Sequence, residues 1–196
     1  MEYAFTWDTA LEILGFITGL LYLWWEYHAD SKLWFASLVM PCISMWIYFS
    51  KGLYADFGIN IYYLVIAVYG YIAWTRRNQT DSSDKDKPSL PITHTPGRAA
   101  AVCAAAALVL WGVLYLILRF LTDSTVPAAD AFTTALSIVG MWMLARKYLE
   151  QWLVWLVVDA VCVALYIYKG IYFYAALYAI YTVIAWCGYR KWRRMM

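Results

Sequence analysis

Long apolar stretches separated by short polar turns make up most of the chain. We interpret seven of them as helices, over about residues 10–27, 33–50, 57–75, 99–121, 131–147, 151–168 and 171–190. A helix needs about 20 mostly apolar residues to cross the hydrocarbon core, whereas a closed barrel would show alternating segments of about ten. The pattern therefore predicts an all-α integral membrane protein with seven transmembrane helices.

The composition supports this prediction. Hydrophobic residues make up 64% of the 196 residues and charged residues only 14%, whereas a soluble domain carries about 25% charged residues. The net charge of +2 gives no support for a nucleic-acid partner. The four cysteines lie in apolar stretches without CxxC spacing, which predicts buried side chains and no disulfide or metal site.

One polar run, from Thr75 to Gly97, is rich in Ser, Asp, Lys and Pro, a composition typical of a linker. It divides the predicted chain into a first three-helix repeat at 1–75, a cytoplasmic linker at 76–98, a connecting helix at 99–125 and a second three-helix repeat at 126–196.

The distribution of Lys and Arg predicts the orientation. With the N-terminus outside, 12 of the 15 basic residues lie on the inner side, and Lys51, Arg119 and Lys169 are the 3 that remain outside. The inner set consists of Lys32, Arg76, Arg77, Lys85, Lys87, Arg98, Arg146, Lys147, Arg190, Lys191, Arg193 and Arg194. Because cytoplasmic loops carry the excess of Lys and Arg, this split predicts N-out, C-in.

The chain also repeats internally. Residues 34–74 align without a gap on 152–192, at an offset of 118, with 14 of 41 pairs identical. One helix intervenes between the two sets of three, so corresponding helices cross in the same direction. The prediction is a 3+1+3 arrangement of parallel repeats related by an axis along the membrane normal, a construction typical of transporters.

Two runs carry a resemblance to a known family: YADFGINIYYLVIAVYGYIAW in the first repeat and ALSIVGMWMLARKYLEQWLVWLVVDAVCVALYIYKGIY in the second. They resemble the Pnu family of bacterial vitamin transporters. The resemblance implies a SWEET-like 3+1+3 fold, facilitated diffusion across the bacterial inner membrane and trapping of the vitamin by an intracellular kinase. It also allows a homotrimer.

Substrate chemistry is expected where the repeats differ, at the aligned pairs Ser37/Trp155, Pro41/Asp159 and Asn60/Tyr178. Asp159 lies near the middle of the sixth helix, where a carboxylate is costly unless it faces a cavity or partner. We therefore interpret it as a substrate-binding residue, against the alternative of a protonated or packing aspartate.

Trp152, Trp155 and Asp159 follow i, i+3, i+7 spacing and share one helical face, which Cys162 and Tyr166 continue. Two indoles and a carboxylate suit a flat cationic heteroaromatic, although Trp152 also fits an interfacial aromatic belt. Three further residues complete the predicted substrate-binding set: Asn60, its repeat partner Tyr178, and Trp34, the repeat partner of Trp152. Glu12 and Asp130 are expected to cap helices rather than to couple protons.

In the riboside carriers of the family the sixth helix carries WxxWxxxN, a motif that the resemblance implies contacts nicotinamide. Here it reads WLVWLVVD, with Asp159 in place of Asn. This substitution favours thiamine, whose aminopyrimidine can donate to a carboxylate; nicotinamide riboside is the alternative.

Other function classes fit less well. A membrane enzyme would need clustered His or paired carboxylates, whereas the only histidines, His28 and His94, lie in loops. A photoreceptor would need a mid-span Lys in the last helix, and Lys191 is at its inner end. We predict no enzyme activity, cofactor or metal, with the vitamin and membrane lipid as partners. Because Asp159 is the one deep ionisable residue expected, we predict alternating access without ion coupling.

Overall fold

The computed structural model describes residues 18–50, 54–75, 90–122 and 124–196, and over these ranges it contains seven helices and no strand. Helix α1 is described over residues 18–27. The others are α2 (Leu33–Ser50), α3 (Tyr54–Thr75), α4 (Gly97–Leu121), α5 (Pro127–Ala145), α6 (Gln151–Tyr168) and α7 (Tyr172–Met195). The all-helical prediction is confirmed for the described chain.

Helices α2 and α6 have the predicted bounds. The bounds of α5 and α7 differ from the prediction, and each difference has a local cause. Helix α5 begins four residues earlier than expected because Pro127, whose fixed φ suits a first turn, starts it. Helix α7 continues past its apolar part to Met195, with Arg193 and Arg194 in its last turn. Basic side chains are favourable there because the helix dipole is negative at its C-terminus.

Three described helices are long and apolar enough to cross a membrane: α4, α5 and α6. The segment Ile59–Thr75 of α3 is apolar but shorter. Helix α4 is the most exposed of them, with Cys103 its one buried residue. Ala99, Ala106 and Ala107 of α4 pack against a buried cluster formed by Cys103, Val139, Met143 and Tyr148.

The chain divides into two compact units, Met1–Leu90 and Pro91–Met196. In the first unit α2 packs on α3; in the second, α4, α5, α6 and α7 pack in consecutive pairs. The connecting helix α4 therefore lies within the second unit.

Each unit contains the same tryptophan–glycine contact. The buried ring of Trp34 in α2 lies against Gly70 of α3, at a point where a Cβ would come within 2.3 Å of the indole. In the second unit Trp152 of α6 lies in the same way on Gly188 of α7, at 2.7 Å. A glycine is needed at both positions because any side chain would displace the indole.

The two turns before α2 and α6 also match. Ala29 and Lys147, which are 118 residues apart, both have a positive φ, of 53° and 55°. Non-glycine residues rarely adopt this left-handed conformation, so its occurrence at equivalent positions is a specific similarity between the units.

Two expectations about side chains need correction. Cys103 and Cys162 are buried as predicted, but Cys42 and Cys187 are exposed, and all four thiols are free. Apolar sequence context does not distinguish the packed face of a membrane helix from the face that meets lipid.

Asp130 lies in the first turn of α5, where the helix dipole favours a carboxylate, but it does not cap the helix, since the N-cap residue is Val126, which makes no side-chain cap bond. The Asp130 carboxylate instead accepts a hydrogen bond from Ser124 and pairs with Lys169 at 3.3 Å. Its structural role is thus to join the start of α5 to the α6–α7 turn. Glu12 lies outside the described residues.

Candidate functional site

The candidate site lies along one face of α6 in the second unit. Asp159 is the ninth of the 18 residues of this helix and is only 7% exposed. At 1.5 Å per residue, it is about 12 Å from either end of the helix. The sequence therefore predicted the position of this carboxylate near the middle of α6 correctly.

Two tyrosine hydroxyls and a thiol lie near Asp159. Tyr178 and Tyr181 of α7 and Cys162 of α6 interact electrostatically with its carboxylate. No lysine or arginine of the described residues forms an ion pair with it. A carboxylate in such surroundings lacks a compensating positive charge, so a cationic ligand would be favourable there.

Tyr166 extends this group toward the end of α6. Its ring stacks on Tyr178 with centroids 5.2 Å apart and on Tyr174 with centroids 5.4 Å apart. It also shares a side-chain hydrogen bond with Tyr178. We name Asp159, Cys162, Tyr166, Tyr178 and Tyr181 the carboxylate–tyrosine cluster; it combines one carboxylate with stacked rings and hydroxyl groups.

Trp155 lies one turn before Asp159 and contacts α5. Its ring carbons are 3.5 and 3.6 Å from the point where Gly140 would carry a Cβ. The indole Nε1 is buried and has no hydrogen-bond partner among the described residues. A buried donor without a partner is uncommon, and it could donate to an oxygen of a bound substrate.

At the two aligned positions of the first unit, the large and the small residue are exchanged between the helices. Tyr22 aligns with Gly140, and Ser37 aligns with Trp155. The bulky ring thus comes from the first helix in one unit and from the second helix in the other. Ser37 uses its hydroxyl locally, donating to the Leu33 carbonyl at 3.0 Å.

Trp152 and Trp34 have a different environment from Trp155. Each is almost fully buried against a glycine and makes an edge-to-face contact with a second tryptophan, Trp192 or Trp74, with centroids 5.6 Å apart. These contacts account for the burial of both rings, but their indole Nε1 atoms, like that of Trp155, have no hydrogen-bond partner among the described residues. Their predicted substrate contact stays a prediction.

Asn60 lies on α3 in the first unit and is 9% exposed. It therefore belongs to a different unit from the carboxylate–tyrosine cluster. Its role in substrate binding also stays a prediction, as does that of Tyr178, although Tyr178 does adjoin Asp159.

Glu26, near the C-terminal end of α1, is only 2% exposed and hydrogen-bonded by Tyr22, and the sequence pattern did not single it out. The expectation of a single buried ionisable residue is therefore wrong. Tyr181 was also missed, because its identity with Tyr63 across the repeats suggested scaffold. Its position three residues after Tyr178, on the same helix face, could have indicated it.

The chain is similar to known membrane transporters. The chain is 26% identical over 202 residues to the nicotinamide riboside transporter PnuC of Escherichia coli K12, covering 93% of this chain and 84% of that protein. It is 28% identical to the riboflavin/roseoflavin transporter RibM of Streptomyces davaonensis, covering 92% and 83%. The crystal structure of the vitamin B3 transporter PnuC superposes with a TM-score of 0.69 at 20% identity, over 96% of this chain and 82% of that one, which shows a shared fold.

These relatives are transporters, in agreement with the prediction that the chain is not an enzyme. The family model described as nicotinamide mononucleotide transporter matches residues 9–194, nearly the whole length. The chain therefore belongs to this family and is a membrane transporter of the vitamin type, as the Pnu resemblance indicated.

Proposed function

We propose that the protein carries nicotinamide riboside into the cell. The observation that carries this proposal is the buried Asp159 carboxylate, which has tyrosine rings beside it and no basic partner in the described chain. Nicotinamide riboside contains a flat pyridinium cation. The carboxylate would offset its charge, and the rings of Tyr178 and Tyr181, which lie near it, would provide cation–π contact.

The positive charge of nicotinamide riboside and the similarity of the chain to PnuC transporters together favour this substrate. Riboflavin, which the RibM relative transports, is neutral and gains nothing from a buried carboxylate. Thiamine is a cation, but none of the relatives named above is a thiamine transporter, so the sequence-based preference for thiamine has no support. The Asp159 substitution that prompted it suits either cation.

The proposed architecture is a pair of parallel three-helix repeats with α4 between them, oriented N-out, C-in. The matched Trp34–Gly70 and Trp152–Gly188 contacts support the repeats, as do the positive φ angles at Ala29 and Lys147. The excess of basic residues on one side supports the orientation. The membrane would be the bacterial inner membrane, as the resemblance implies.

Uptake is proposed to be facilitated diffusion by alternating access, with intracellular phosphorylation retaining the product. Glu26 does not by itself imply proton coupling, because Tyr22 donates a hydrogen bond to its carboxylate and because it lies near the end of α1 and not in mid-span. Initial uptake into proteoliposomes should be unchanged when a protonophore or a sodium ionophore is added. A rate that collapses with either gradient would contradict this mechanism and implicate Glu26 or Asp159.

The substrate is tested by equilibrium titration of the purified full-length protein with nicotinamide riboside, thiamine and riboflavin. We expect nicotinamide riboside to bind tightest, thiamine more weakly, and riboflavin not to bind in the same range. If thiamine binds tightest, the assignment of nicotinamide riboside is wrong, but the inference that Asp159 binds a cationic substrate is retained. Riboflavin binding tightest would overturn both.

A further inference from the structure

The last two turns of α7 carry a second candidate site, distant in sequence from Asp159. A partly open cavity of about 380 Å³ is lined by Trp186, Tyr189, Arg190, Arg193 and Arg194. Trp186, Arg190, Arg193 and Arg194 follow i, i+4, i+7, i+8 spacing, which places them on one face of the helix. We name the five residues the arginine–aromatic cavity.

This face is not the one that packs on α6. Helix α7 contacts α6 through Gly188, which lies under the Trp152 ring, and through the buried Trp192. The cavity residues lie on a different side of α7, and Trp186 is 50% exposed. Packing within the unit therefore explains Gly188 and Trp192 but not the arginine–aromatic cavity.

The three guanidinium groups of the cavity are uncompensated. None of Arg190, Arg193 and Arg194 has a hydrogen-bonding or ion-pair partner within the described residues. A guanidinium presents a planar fork of donors that matches two phosphate oxygens at once. Three such forks lining one cavity favour a phosphate-bearing anion as the ligand.

The two aromatic rings add a second requirement. Trp186 and Tyr189 are stacked, with centroids 6.2 Å apart and planes at 21°. Trp and Tyr concentrate at the headgroup level of a bilayer, where one part of the ring is apolar and another meets water. The helix dipole and the excess of inner positive charge would explain arginines at this helix end, but not a cavity that also contains a stacked aromatic pair.

We propose that the arginine–aromatic cavity binds the headgroup phosphate of an anionic phospholipid. The arginines would hold the phosphate, and the Trp186 and Tyr189 rings would contact the glycerol and upper acyl region. A soluble phosphate ester shares the phosphate chemistry, but it would not use rings at the membrane interface. This site is independent of the transport substrate and would anchor the end of α7 in the bilayer interface.

The test is native mass spectrometry of the purified full-length protein in detergent, titrated with dioctanoyl phosphatidylglycerol. Dioctanoyl phosphatidylcholine serves as the zwitterionic control, and inorganic phosphate as the competitor without acyl chains. The variant combines Arg190→Gln, Arg193→Gln and Arg194→Gln. The matched control combines Arg76→Gln, Arg77→Gln and Arg98→Gln, which removes the same charge from the same predicted side of the membrane.

We expect phosphatidylglycerol to bind preferentially over phosphatidylcholine, and the cavity variant to lose this binding by about fivefold for each arginine removed. The control variant should bind like the unmodified protein. Trp186→Ala, which keeps every charge, should also weaken binding and so tests the cavity if the triple variant does not fold. Equal loss in the control variant, no preference for the anionic lipid, or competition by inorganic phosphate at equal concentration would overturn the proposal.

Discussion

Asp159 is a buried carboxylate near the middle of the α6 span. Placing a carboxylate at the centre of a span costs about 3 kcal/mol on insertion scales, so its retention requires a compensating interaction. The neighbouring groups of the described chain are tyrosine hydroxyls and the Cys162 thiol, which are dipolar and not cationic. A cationic substrate would complete this environment.

Asp159→Asn should weaken nicotinamide riboside binding by about 10- to 100-fold, because the pyridinium cation would lose the buried negative charge opposite it, a loss of about 1.4–2.8 kcal/mol. The side-chain shape is nearly unchanged, so folding should be retained. Isothermal titration measures the effect. The reduced dihydro form of the riboside, which is neutral, provides the control and should bind both proteins similarly; an equal loss for both forms would indicate a structural role.

The positions beneath Trp34 and Trp152 require glycine, because the indole rings leave no space for a side chain. A Cβ at residue 188 would lie 2.7 Å from the Trp152 ring, which is itself fixed against Trp192. Neither Trp152 nor Trp192 can move without disturbing the α6–α7 contact.

Gly188→Ala should therefore lower the free energy of unfolding by about 1–3 kcal/mol, the usual cost of overpacking. Gly112→Ala in α4 is the matched control, because no atom lies within 4 Å of its added Cβ. It should be neutral or stabilising, since Ala favours a helix more than Gly. Unfolding in denaturing detergent measures both, and equal effects would show that the Trp152–Gly188 contact is not tight.

At the scale of elements, the segment before α4 is held to the α5–α6 turn. Thr93 pairs with Tyr148 in an isolated bridge, and Glu150 accepts hydrogen bonds from His94 at 2.7 Å and from the Thr95 backbone at 2.7 Å. Burial raises the pKa of Glu150, but the hydrogen bonds from Thr95 and His94 outweigh it, and the net pKa lies below its ordinary value.

A group whose pKa is lowered on folding stabilises the folded state above its ordinary pKa, and the contribution is lost as the pH falls through the folded value. We therefore expect the unfolding temperature of the unmodified protein to exceed that of Glu150→Gln at pH 6, where the carboxylate is ionised. The difference should shrink as the pH falls below about 4.3, the ordinary pKa of Glu. A difference that does not depend on pH would mean that the Glu150 charge is unimportant.

At the scale of the whole molecule, the predicted orientation depends on the uneven distribution of 15 basic residues. Pro91, in the linker, should lie inside, and Thr125, between α4 and α5, should lie outside; both are exposed. Their accessibility in intact cells therefore tests the orientation directly.

In a background with Cys42, Cys103, Cys162 and Cys187 replaced by Ala, we expect Thr125→Cys to react with a membrane-impermeant maleimide in intact cells. Pro91→Cys should react only after the membrane is permeabilised. Gel-shift labelling measures both, and the reverse pattern would show that the orientation is N-in.

The sequence predicted elements and residues whose signal is local. Apolar stretches bounded by turns predicted α2 and α6 to the residue, and the depth of Asp159 followed from its place in α6. The same local signal could not tell which side of an apolar helix is packed. For that reason the burial of Cys42 and Cys187 was predicted wrongly, and Glu26, near a helix end, was not singled out.

The sequence by itself determined that this is a helical membrane protein with repeated segments and one deep carboxylate, because a bilayer penalises unpaired backbone and charge wherever they occur. Only the tertiary structure decided which side chains surround that carboxylate. Tyr178 and Tyr181 lie near Asp159 because α6 and α7 pack on each other, and Trp152 lies in a separate contact over Gly188. Such proximities depend on how helix faces meet, which the order of residues along one helix does not specify.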